Sequence, residues 1–84
     1  MHYLCDVEIG KIVKVMSLIS KDLLRERMLS LGITRGAKIE VIRKGPKDNL
    51  TVFDIRGVMI ALRKEESRLI IVEEEYNGVN PKID

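Results

Sequence analysis

The sequence predicts a mainly β fold, a small five-stranded barrel with one or two short helices. Three observations predict it. Short runs of β-branched and aliphatic residues alternate with polar ones, the signature of strands with one dry and one wet face. A single helical stripe stands between the first and second of these runs. Glycines sit at the breaks, where the chain must turn. Several short strands at near-regular spacing favour a barrel over an open sheet, because closure removes exposed edges.

The elements follow in order. Leu4 to Ile9 is a short lead-in that ends at Gly10. Lys11 to Met16 reads as a strand, with Val13 and Val15 on one face and Lys14 pointing away. Ser20 is placed as the N-cap of a helix over residues 21–31, and Asp22 stands near the positive end of its dipole. Leu24, Met28 and Leu31 recur at i, i+4 and i+7 and form its apolar stripe. Gly32 ends the helix at the C′ position, where a Schellman cap lets Ile33 pack back on Met28.

Thr34-Arg35-Gly36 is a tight turn into a strand with Ala37, Ile39 and Val41 on one face and Lys38 and Glu40 on the other. Lys44 to Asn49 is a polar loop broken by Gly45-Pro46. Thr51 to Arg56 and Val58 to Arg63 form a hairpin that reverses at Gly57. In the return strand, Ala61 suggests close packing opposite a larger group. Lys64 to Ser67 is a turn or one helical turn, and Leu69 to Val72 is the last strand. One domain over residues 1–73 is expected, followed by a disordered acidic tail over 74–84.

A chain of 84 residues holds one domain with a thin core. Hydrophobic residues make up 45% of it, but only Tyr3, Phe53 and Tyr76 carry rings, so the core is aliphatic. The same shortage speaks against an aromatic platform for single-stranded nucleic acid. The formal net charge of +2 is too small to imply a polyanion partner. Its distribution is uneven: Glu74, Glu75 and Asp84 against Lys82 give the tail −2, which leaves the body at +4. Cys5 is the only cysteine, so no internal disulfide and no oxidising compartment are required. Neither a signal peptide nor an apolar run of membrane-spanning length is visible, and a cytoplasmic location is expected.

The order and spacing of several short motifs resemble the FeoA family. Leu4, Val7 and Gly10 stand at the spacing L-x-x-l-x-x-G. Residues 28–36, Met-Leu-Ser-Leu-Gly-Ile-Thr-Arg-Gly, resemble its L-x-x-L-G-[IL]-x-x-G signature, and residues 57–63, Gly-Val-Met-Ile-Ala-Leu-Arg, its G-x-x-[IL]-A-L-R stretch. Glu66-Ser67 stands where the family has Glu-Ala, followed by Ile70 and Val72. The resemblance spans Leu4 to Val72. It departs after Pro46, where Lys47-Asp48-Asn49 replaces a Gly-Asp-Pro-like turn.

The resemblance implies an SH3-like barrel. It also implies a small accessory role in bacterial ferrous iron uptake beside FeoB, the membrane transporter with a cytoplasmic G-protein domain. FeoA-like domains also end iron-dependent repressors, but this sequence shows no winged-helix DNA-binding half. A module that docks on FeoB is therefore expected at the inner face of the membrane without spanning it. The candidate docking residues are Leu23, Arg25, Arg27, Leu29, Thr34 and Arg35.

Chemistry at a reactive group is not indicated. His2 is the only histidine, no serine has a histidine nearby in sequence, and no G-x-x-x-x-G-K-[ST] phosphate loop is present. No enzyme activity and no bound cofactor are expected. His2, Cys5, Asp6 and Glu8 are of residue types that suit ferrous iron or another transition metal, but their spacing matches no closed site. Arg25, Arg27, Arg35, Lys38, Arg43 and Lys44 support a rival reading, an SH3-like nucleic-acid module.

Overall fold

The structure is a computed structural model that describes residues 1–75. Its elements are β1 (His2–Tyr3), β2 (Ile12–Leu18), α1 (Asp22–Ser30), β3 (Lys38–Lys44), β4 (Leu50–Ile55), β5 (Val58–Arg63), α2 (Lys64–Ser67) and β6 (Ile70–Glu74). Single 3-10 turns cover Leu4–Asp6 and Pro46–Asp48.

All strands pair antiparallel in one sheet, in the order β1-β6-β2-β3-β4-β5. This corrects the expected five-stranded closed barrel. Among the described residues there are six strands, and the ladder stays open, with β1 at one edge and β5 at the other. The additional strand is His2–Tyr3, which pairs with Val72 and Ile71 of β6. Its two residues are both exposed, so no alternation marks it in the sequence. Extra residues at Met16 in β2 and Ile42 in β3 break the register. Such bulges bend a strand and increase its twist, which helps the sheet curl around its inner side chains.

Alternation decides what lies inside. Val13 and Val15 of β2, Ile39 and Val41 of β3, Phe53 and Ile55 of β4, Leu62 of β5, and Ile70 and Val72 of β6 are buried in one cluster. Leu4 and Val7 close it from the N-terminal segment, and Met28, Ile33 and Ala37 from the helix and its turn. Burying one such side chain stabilises by about 1.5–3 kcal/mol, so this cluster is the main source of stability in a chain without a disulfide. Ala61 departs from expectation. It is exposed, because Val58, Ile60 and Leu62 are the inward set of β5 and Ala61 is on the opposite face.

The helix follows its stripe but not its expected cap. Met28 is buried, and Leu24 and Leu31 pack against the core. Ser20, however, does not cap the helix. The N-cap is Lys21, with no side-chain cap bond. The helix starts one residue later than predicted, and the buried Ser20 Oγ donates instead to Met28 Sδ at 3.2 Å. At the other end, the Ile33 N–H donates to Met28 O and the Gly32 N–H to Leu29 O, both at 3.0 Å. Those two bonds make the Schellman cap, with Gly32 at φ +90°.

The folded unit also runs past the expected boundary at residue 73. Glu74 belongs to β6, the Glu75 N–H donates to Ile12 O, and the Glu75 carboxylate is 3.4 Å from Lys38 Nζ. The acidic tail expected beyond that point lies outside the described residues.

Candidate functional site

Helix α1 leaves two leucines outside the core. Its inward stripe uses Leu24 and Met28, and a helix of nine residues has only one face to bury. Leu23 is consequently 81% exposed and Leu29 39% exposed. Arg25 and Arg35 are also exposed. The Arg25 guanidinium reaches toward Leu18 O at 3.5 Å, too far for a strong bond.

The other two candidates from this segment have structural partners. Arg27 pairs with the Glu66 carboxylate and so ties α1 to α2. Thr34 Oγ1 accepts from Arg56 Nη2 at 2.8 Å. The six docking candidates thus divide. Leu23, Leu29, Arg25 and Arg35 are exposed, while Arg27 and Thr34 help hold the helix and its turn on the rest of the fold.

Arg56 is the residue that sequence reasoning missed. It occupies the first central position of the β4–β5 hairpin, at φ +53°, with Gly57 following at φ +88°. Both positions need positive φ, which marks a type I′ turn. Asp54 Oδ1 accepts from the Gly57 N–H at 2.8 Å and holds the turn. From there the Arg56 side chain crosses to the helix end, where Nε donates to Gly32 O at 3.0 Å. A β-carbon on Gly32 would lie 3.3 Å from Arg56 Cδ. Gly32 therefore serves twice, as the left-handed cap and as the space that the arginine crosses. The one sequence signal was Asp54-Ile55-Arg56-Gly57, a turn whose first central residue is a long cation.

Glu66 holds the opposite side of the helix. Burial by itself would push its carboxyl up. The Arg63 N–H, which donates to Glu66 Oε1 at 2.8 Å, and the Arg27 guanidinium outweigh burial and hold the carboxyl below the usual glutamate range. Arginine has no acceptor, so the Arg63 side chain cannot complete a reciprocal capping box.

The four metal-type residues at the N-terminus are divided between two cavities. His2, Asp6 and Glu8 line one shallow cavity of about 210 Å³ with Lys11 and Glu74. Cys5 faces a separate one, with Tyr3, Ile19, Arg68 and Leu69. Among the described residues, no three His, Cys, Asp or Glu side chains gather closely enough to hold a metal ion. Burial, then the neighbouring Asp6 carboxylate, pushes the Cys5 thiol up. Its Sγ is 3.7 Å from Asp6 Oδ1. A thiol kept protonated in this way is a weaker ligand and nucleophile than a thiolate.

The serines have structural roles where they have partners. Ser20 bonds Met28 Sδ, and Ser30 Oγ donates to Arg27 O at 2.7 Å. No helix among the described residues is long and apolar enough to cross a membrane.

The family model for the FeoA domain matches residues 2–74. The chain belongs to the FeoA family. Solved structures agree with this assignment. The FeoA protein from Chlorobium tepidum superposes with a TM-score of 0.83 at 26% identity, covering 95% of this chain and 75% of that one. A FeoA-like protein from Clostridium acetobutylicum gives 0.81 at 30% identity, over 94% of this chain and 92% of that one.

FeoA from Stenotrophomonas maltophilia, solved in complex with zinc, gives 0.74 at 22% identity, over 83% and 87%. It is described as a prokaryotic SH3 domain protein with a suggested role as a ferrous iron transport activating factor, and at this identity the likeness shows the fold: SH3-like. No curated protein sequence matches the chain. The FeoA signature maps onto the features above. Gly32 is the helix cap, residues 57–63 are the hairpin turn and β5, and Glu66 is the carboxylate that binds Arg27.

Proposed function

We propose that this FeoA-family chain is a non-enzymatic accessory protein of bacterial ferrous iron uptake. It acts at the cytoplasmic face of the membrane by docking on the cytoplasmic part of a FeoB-type transporter. The observation that carries this reading is the outward face of α1. The inward stripe already satisfies the core, yet Leu23 remains 81% exposed, and Leu29, Arg25 and Arg35 are exposed elsewhere on the helix and its following turn. An exposed leucine on a helix that also presents arginines suits a protein surface that combines an apolar anchor with acidic groups. Under this reading iron is the transporter's cargo, and the chain works through contact.

Binding to the FeoB-type cytoplasmic domain, measured by calorimetry and by pull-down, tests it. Wild type binds, and Leu23→Asp loses binding while retaining its thermal unfolding midpoint. Absence of wild-type binding to both the isolated domain and the full membrane complex overturns the reading.

A further inference from the structure

The free edge of the sheet supports a second docking mode, independent of the helix face. In an antiparallel hairpin with a two-residue turn, the residues that flank the turn form a hydrogen-bonded pair, and bonded pairs then recur at every second position. Ile55 pairs with Val58, so Phe53–Ile60 and Thr51–Leu62 are the next bonded pairs. The N–H and C=O groups of Met59, Ala61 and Arg63 therefore point away from β4. Among the described residues, no strand pairs with β5 on that side.

One of these groups is occupied. The Arg63 N–H donates to Glu66 Oε1, which closes the edge at that end. Both pairs of polar groups on Met59 and Ala61 stay open. The side chains around them are apolar: Met59 is 60% exposed, with Ala61 and Leu50 exposed on the same outer face, and Val58 at the strand start is 58% exposed on the other. A long exposed apolar edge is unusual unless something covers it.

Charge selects the occupant. β5 carries no acidic residue. Arg56 stands at its start, and Arg63 and Lys64 at its end. A second copy paired antiparallel through Met59 and Ala61 would bring Arg56 toward the second copy's Lys64 at both ends. Facing like charges destabilise such a pairing. A strand with an acidic residue at each end meets cations instead.

We infer that β5 accepts an extended segment of a partner protein as a seventh strand, an apolar stretch with acidic ends, bonded through the backbones of Met59 and Ala61. Strand addition of this kind draws affinity from main-chain bonds and specificity from flanking side chains.

The probe is a synthetic peptide of alternating valine and threonine with an aspartate at each end, added to the full chain. A control peptide carries lysine at both ends. Amide hydrogen exchange by NMR is the readout. The Met59 and Ala61 amides slow several-fold with the acidic peptide, while Ile60, already bonded to β4, does not change. The lysine peptide binds several-fold more weakly. Ala61→Pro removes an outward N–H that β4 does not use, and abolishes the effect. If that variant fails to fold, Arg63→Glu keeps the backbone intact and weakens the acidic peptide several-fold. Leu23→Asp leaves peptide binding unchanged, which separates this edge from the helix face. Three results would overturn the inference: no slowing of either amide at millimolar peptide, equal slowing by both peptides, or slowing without peptide that rises with protein concentration.

Discussion

The inner face of the sheet and helix α1 are held in different ways. The sheet buries a continuous set of apolar side chains from β2 to β6, with Phe53 as the largest. The helix enters that cluster through Met28, with Leu24 and Leu31 partly buried beside it. What the helix lacks in burial it gains from directional bonds at its C-terminal end: the Schellman cap at Gly32, Arg56 across the turn, and the Arg27–Glu66 pair. A helix attached by a few bonds keeps most of its surface for other uses. Leu23 is therefore unconstrained by the core, and a substitution there tests function with little effect on stability.

Substitutions can break or sharpen this contrast, and the sheet gives the largest effect. Phe53→Ala removes the largest core side chain and lowers unfolding free energy by about 3–5 kcal/mol, read from urea denaturation. Gly32→Ala acts on the helix attachment. It combines left-handed strain with a push on Arg56, for a loss of roughly 1–2 kcal/mol in the same assay. Arg56→Ala removes the two bonds to the cap but leaves both glycines. It costs about 1 kcal/mol and speeds exchange of amides at the C-terminal end of α1.

Glu66→Gln changes the acid limb of the stability profile. The folded-state carboxyl lies below the usual glutamate range. Its contribution is therefore complete above the unfolded value and is lost as pH falls through the lowered folded value. The variant flattens that limb, by under about 1 kcal/mol because the Arg27 partner is half exposed. Leu23→Ala is the smallest change, within about 0.5 kcal/mol of wild type in stability. If Leu23→Ala were instead as costly as Phe53→Ala, the helix would belong to the core and the contrast would fail.

Much of the fold was legible in the residues. Alternation assigned Val13, Val15, Ile39 and Val41 to the interior, and the i, i+4, i+7 spacing assigned Leu24, Met28 and Leu31. Gly32 marked the helix end. These signals are local, because side-chain direction repeats with the backbone period. The candidate docking surface was legible only in part. Leu23 and Leu29 were visible as residues off the stripe, but whether they widen the buried face or stay exposed depends on what packs beside the helix.

By itself, the sequence determined most of the element types and most of the inward residues and, through its ordered glycines and the Ala61-Leu62-Arg63 stretch, the FeoA family. The tertiary structure alone decided the open six-stranded ladder, the pairing of His2–Tyr3 with β6, the reach of Arg56 to Gly32 and the opening of Cys5 onto a different cavity from the one lined by His2, Asp6 and Glu8. The physical reason is range. A strand's periodicity is written in its own residues, whereas the partner of an edge, a guanidinium or a thiol is supplied by chain far away in sequence.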